Sequence, residues 1–140
     1  MKSRLKLMQD GKTVFEIPLS PVDWPKEDLE NEFKAAEEDF DKSSKIFDAL
    51  SHETRLRMMK QLIEEEESQT ISFAGFMKEL DLNPKIVWEN SRKLEEGGLL
   101  EKTSRGKYSC SDFGRTAFMM MSLALHRLME SVQEIEDDRR

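Results

Sequence analysis

The stretch from Ser72 to Cys110, SFAGFMKELDLNPKIVWENSRKLEEGGLLEKTSRGKYSC, holds two helix starts, one helix stop and a hairpin in close succession. Ser72 can cap a short helix whose apolar members, Phe73, Phe76, Met77 and Leu80, recur at spacings of three and four. Asn83 is a second N-cap, and Pro84 takes the first helical position, where its missing N–H costs nothing. That helix runs to about Glu96 and stops at Gly97-Gly98, because glycine accepts the left-handed conformation that a helix end needs. Leu99 to Thr103 then reads as a strand, Ser104-Arg105-Gly106 as a turn and Lys107 to Cys110 as the returning strand. Two helices across a tight turn, followed by a β-hairpin, predict a helix-turn-helix carrying a wing.

Upstream of it, Ser51 can cap a helix with Leu56, Met59, Leu62 and Ile63 on one face. Four acids, Glu64 to Glu67, close that helix against its dipole, so its end is expected to fray. Further back, Leu29, Phe33, Ala36, Phe40, Phe47 and Leu50 predict one long amphipathic helix with acids on its other side. It is preceded by the stiff connector Ser20 to Pro25 and by two short alternating runs, Arg4 to Met8 and Thr13 to Ile17, joined at Asp10-Gly11 as a β-hairpin. Downstream, Phe118, Met121, Leu125, Leu128, Val132 and Ile135 step by three and four like the seam of a coiled coil, and Met119, Met120, Leu123 and Met129 widen it. The chain therefore reads as mainly α with a small β component, an α+β fold. Its segments are residues 1–20 (hairpin), 21–50 (acidic dimerisation helix), 51–115 (winged helix-turn-helix) and 116–140 (C-terminal dimerisation helix).

The chain has 140 residues, 37% apolar and 36% charged, which is one domain with appended helices and neither a disordered chain nor a membrane protein. The N-terminus lacks the apolar segment of a signal peptide, so a cytoplasmic protein is expected, and no membrane partner. One cysteine, Cys110, and two histidines, His52 and His126, make a soft-metal centre a poor expectation. The net charge of -7 would exclude nucleic acid if it were spread evenly. It is not. Nine acids against Lys26 and Lys34 between Asp23 and Asp41 account for all of it, while Pro84 to Arg115 carries seven bases against five acids. No Gly-rich phosphate loop, nucleophile elbow or histidine triad is present, so no enzyme chemistry and no cofactor are expected.

The stretch from Ile46 to Leu62, including Leu50-Ser51-His52-Glu53-Thr54-Arg55-Leu56, together with the helix pair from Phe73 to Leu94, Gly98-Leu99-Leu100 and the wing, resembles the ArsR-like winged-helix transcriptional regulators over about residues 42–115. The resemblance implies a homodimer on a palindromic double-stranded DNA operator. In it the helix from Pro84 enters the major groove, and half-sites lie roughly 34 Å apart. Periodicity turns Val87, Ser91 and Leu94 toward the core and leaves Lys85, Trp88, Glu89 and Arg92 facing outward, with Asn90 at the shoulder of that surface and able to contact adenine. Ser104, Arg105 and Lys107 on the wing and Lys78 on the preceding helix are phosphate candidates. Phe33, Phe40, Phe118, Met121, Leu125, Leu128 and Val132 are the candidate dimer interface.

Two departures from the family pattern stand out, at Trp88 and at Ser91, which stands where an apolar core residue is common. Trp88 replaces a small hydroxyl residue and is open to three readings: DNA contact, a protein or apolar partner, or partial burial against the wing. The helix before the recognition helix has no paired cysteines, so no thiolate metal sensor is implied, and His126 with Glu130 reads as a solvated pair. Cys110 reads as a small buried hydrophobe and His52 as a cap-region hydrogen-bonder. A small-molecule effector stays open, with Phe15, Trp24 and the late methionines one way to line its pocket. The alternative function is a winged-helix protein-interaction module that does not bind DNA, suggested by the acidity and by Trp88 and Glu89.

Overall fold

The computed structural model describes residues 3–65, 68–103 and 105–138. Its fold is α+β, and the chain divides into two compact units, residues 1–41 and 42–140.

In the first unit, β1 (Arg4–Gln9) and β2 (Lys12–Pro18) pair antiparallel, with Leu5 opposite Ile17 and Leu7 opposite Phe15 on one face. Asp10 and Gly11 both have positive φ, 51° and 77°, the two-residue turn whose twist matches a right-twisted ribbon. On the other face Arg4 Nε donates to Glu16 Oε1 at 2.6 Å, and this bond holds the Glu16 carboxyl below its ordinary pKa. After a short turn at Pro21–Asp23, the Trp24 indole N–H donates to the Pro18 carbonyl at 2.8 Å. Helix α1 (Lys26–Glu38) follows. No described residue of this unit is buried.

The predicted long helix is divided. α1 ends at Asp39, whose N–H bonds back to Ala36, and α2 (Phe40–Ala49) begins at once. Glu37-Glu38-Asp39 places three carboxylates at a helix C-terminus, where they oppose the dipole, and that favours the break. The boundary between the compact units falls inside α2.

The second unit holds the core. α3 (Glu53–Glu64) is capped by His52, whose Nδ1 accepts from the Thr54 N–H at 3.2 Å, as its sequence position suggested. It ends where the acid run begins; Glu66 and Glu67 lie outside the described residues. β3 (Ile71–Ser72) leads into α4 (Phe73–Leu80), with Ser72 as cap, and α5 (Pro84–Glu96) is capped by Asn83. Gly98, at φ 73°, ends α5: Leu99 N–H reaches Leu94 O and Gly98 N–H reaches Glu95 O, satisfying two terminal carbonyls. β4 (Leu100–Lys102) and β5 (Lys107–Cys110) form an antiparallel hairpin, and β5 also pairs with β3, giving the strand order β3-β5-β4. Phe76, Met58, Met59, Val87, Leu94 and Leu99 are fully buried between the helices and this sheet, and the Phe76 and Tyr108 rings lie 5.8 Å apart.

α6 (Asp112–Met119) packs so close to the chain leaving α5 that a Cβ on Gly114 would collide with the Leu99 backbone. The expected boundary at residue 115 falls within this helix. A π-turn over Met120–Ala124 joins it to α7 (Leu125–Asp138). The predicted seam changes character there. Phe118 belongs to the core at 8% exposure, which corrects its assignment to an interface, and Met121 packs partly on the same core. Leu125, Leu128 and Val132 are exposed, together with Met129. The side chain of Ile135 lies outside the described residues. Among the described residues no helix is long and apolar enough to cross a membrane.

Candidate nucleic-acid interface

α5 presents two faces, as its periodicity predicts. Val87, Ser91 and Leu94 are buried, and the Ser91 hydroxyl is satisfied by donating to the Trp88 carbonyl at 3.2 Å, so a polar residue fits an apolar face. Lys85, Trp88, Glu89 and Arg92 are exposed, Trp88 at 53%. At that exposure all three readings of Trp88, partial burial included, still stand. Arg92 lies over the Trp88 ring at 5.2 Å from its centroid and donates from Nε to Glu96 Oε1 at 3.2 Å. Lys85 Nζ stands 3.9 Å from Glu89 Oε1. The outward face is thus a ladder of cations each beside its own carboxylate. Exposed pairs of this kind are worth at most about 1 kcal/mol, so a phosphate can displace either carboxylate cheaply.

Asn90 is not part of this surface. It is 7% exposed; its Oδ1 accepts from Arg55 Nη1 at 2.9 Å and its amide nitrogen donates to Ile86 O at 2.8 Å. The expectation that it reads adenine is corrected: both ends of the amide are engaged inside the protein. Its partner Arg55, 8% exposed, also donates from Nε to Ala49 O at 2.7 Å and from Nη2 to Asp48 O at 2.8 Å. One guanidinium therefore satisfies the last carbonyls of α2 and ties them to the middle of α5, with its charge placed where the α2 dipole favours it. Sequence reasoning quoted Arg55 within a motif but gave it no role, since a buried arginine looks like any surface base until its acceptors are known.

A groove of about 630 Å³ runs between the start of α3 and α5, lined by His52, Thr54, Arg55, Trp88, Arg92 and Lys93. His52 was not among the expected site residues; only the tertiary packing brings it beside Trp88. Because its Nδ1 accepts the cap bond, the neutral ring carries its proton on Nε2. Lys93 is held 3.5 Å from Asp48.

On the hairpin, Arg105 and Lys107 are exposed, and Gly106 N–H closes the turn onto Thr103 O at 3.2 Å. Lys78 is exposed in the last turn of α4. Ser104 lies outside the described residues. His126 and Glu130 form an exposed pair at 3.0 Å, and among the described residues no three His, Cys, Asp or Glu side chains group as metal ligands would. Cys110 packs against the core, where burial pushes its thiol pKa up.

No protein-family model matches this chain, and no curated protein matches it either.

Proposed function

We propose that this chain is a winged helix-turn-helix transcriptional regulator of the ArsR-like kind, acting as a cytoplasmic homodimer on palindromic double-stranded DNA. α4 and α5 are the helix-turn-helix, and the β4–β5 hairpin is the wing. α5 lies in the major groove with Lys85, Trp88, Glu89 and Arg92 toward the bases, while Arg105, Lys107 and Lys78 contact phosphates. The two copies join through the exposed seam of α7, Leu125, Leu128 and Val132. Phe33 and Phe40, assigned to the same interface from sequence, stand in the acidic first unit, which self-pairing would set against its own charge.

The observation that carries this reading is the rigid presentation of α5. Both of its ends are capped, one face is locked by Val87, Ser91 and Leu94, and the opposite face is exposed and carries donors and acceptors suited to base edges. The alternative, a winged-helix module that binds protein, draws on the same face, where Trp88 is half exposed and each base already has a carboxylate beside it. Selection of duplexes from a random library, followed by titration of the winner against salt, separates the two. Three phosphate contacts per copy, six in the dimer, give a slope of log K against log salt of roughly -5. Arg105→Ala should shallow that slope by about one for each copy's lost contact. Failure to enrich any duplex at low salt would reject DNA binding in favour of the protein-binding alternative.

A further inference from the structure

The first compact unit is structured, yet none of its described residues is buried. A two-stranded ribbon alone is marginal in water, so covering its exposed apolar surface would stabilise this unit. The surface available for that is apolar. A shallow groove of about 280 Å³ is lined by Ile17, Leu19, Trp24, Leu29, Phe33 and Ala36, with room for one or two apolar side chains and too small for a cofactor. Trp24, held by its bond to Pro18 O, forms one wall, and Phe33, 56% exposed, forms the rim.

Charge decides what fits there. In a helix, residues at the spacing of Leu29, Phe33 and Ala36 share a face; Glu30 and Glu37, with Lys26 at the start of their row, then flank it on one side while Asp28 and Glu32 flank it on the other, four acids against one base. None of these four carboxylates is in an ion pair among the described residues. A second copy's α1 would bring the same carboxylates against them. The other exposed apolar helix of this chain, α7, sets Glu130, Glu134, Glu136, Asp137 and Asp138 against Arg127, so its net charge has the same sign as that of α1.

We infer that the groove and the α1 stripe form a docking surface for a basic amphipathic helix of another protein, its apolar face on Trp24, Leu29 and Phe33 and its lysines or arginines between the two rows of carboxylates. Recognition is of the helix-in-groove kind, with apolar anchors giving affinity and flanking charge giving selectivity. This does not depend on whether α5 binds DNA.

The full chain carrying Trp88→Phe leaves Trp24 as its single indole reporter. Titration with a synthetic helical peptide of leucine and lysine in amphipathic order should shift Trp24 emission to the blue with saturation. Affinity should fall by about tenfold from low to half-molar salt as screening removes the charge term. Phe33→Ala, a change at an exposed position that leaves folding intact, should weaken binding by about tenfold or more. A leucine–glutamate peptide with the same apolar face, and oligolysine with none, should both leave the emission unchanged. Equal binding of the leucine–glutamate peptide, an equal shift with oligolysine, or no shift with any peptide overturns the inference. So does a change of oligomeric state in Phe33→Ala without peptide, which would make a second copy the occupant.

Discussion

Replacing Asn90 by alanine separates a base-reading role from a structural one. The substitution removes the acceptor of a 2.9 Å bond from Arg55 and leaves that N–H of a guanidinium, 92% buried by its 8% exposure, without a partner. A hydrogen bond to a charged group contributes about 1.5–3 kcal/mol, and the orphaned donor keeps its desolvation cost. The second lost bond, to Ile86 O, matters less, because that carbonyl also lies within the helical bonding of α5. Asn90→Ala should therefore destabilise the protein by about 2–3 kcal/mol. For an m-value of about 1.5 kcal/mol/M, the urea midpoint falls by roughly 1.3–2 M. Asn90→Asp keeps an oxygen acceptor for Arg55 and should recover most of the loss at neutral pH. A destabilisation under about 0.5 kcal/mol, with DNA affinity falling tenfold in the folded variant, would refute the buried assignment and return Asn90 to the surface.

Gly114→Ala places a Cβ against the Leu99 backbone, so α6 must move off the chain entering β4; a loss of about 3 kcal/mol or more is expected, read as a fall in melting temperature, and a change of only a degree or two would contradict the packing. Leu128→Glu puts a charge on the exposed α7 seam and should yield a folded monomer in sedimentation, whereas a surviving dimer would move the interface elsewhere. Burial raises the Cys110 pKa, so the folded protein should react with a thiol reagent more slowly than the unfolded chain, and an equal rate would contradict the burial. The same shift gives a sign to alkaline stability. The unfolded thiol ionises first, so the stabilisation is complete below its pKa and declines as pH rises through it; Cys110→Ala should flatten that decline, and an unchanged profile would contradict it.

Local signals carried the element order well. The Ser72 and Asn83 caps, the glycine stop at Gly98 and the Asp10-Gly11 turn act within a few residues, so each could be read directly and each occurs in the structure. What escaped was decided at a distance. Asn90 sits one residue from the core-facing Ser91, and helical angle alone places it at a shoulder; only Arg55, 35 residues away in sequence, draws it inward. His52 joined the groove through α3 packing on α5, which no local pattern encodes. The seam through Phe118 and Leu125 looked continuous because residue spacing cannot reveal where a helix stops touching its own core. The long helix broke at Asp39 although its apolar stripe runs on, because the acid run acts on the helix end rather than on the stripe.

The π-turn at Met120–Ala124 lets the terminal helix hold one residue more than a regular helix would without changing where it points. Such a turn holds one residue more than an α-helical turn, so deleting a single amino acid there lets the helix rewind. Everything beyond would then keep its direction, because the π-turn already absorbs the extra residue's rotation of about 100°. A one-codon deletion would thus leave Leu125, Leu128 and Val132 on their present bearing, while rewinding the turn into α-helix without a deletion would swing all three by about 100°.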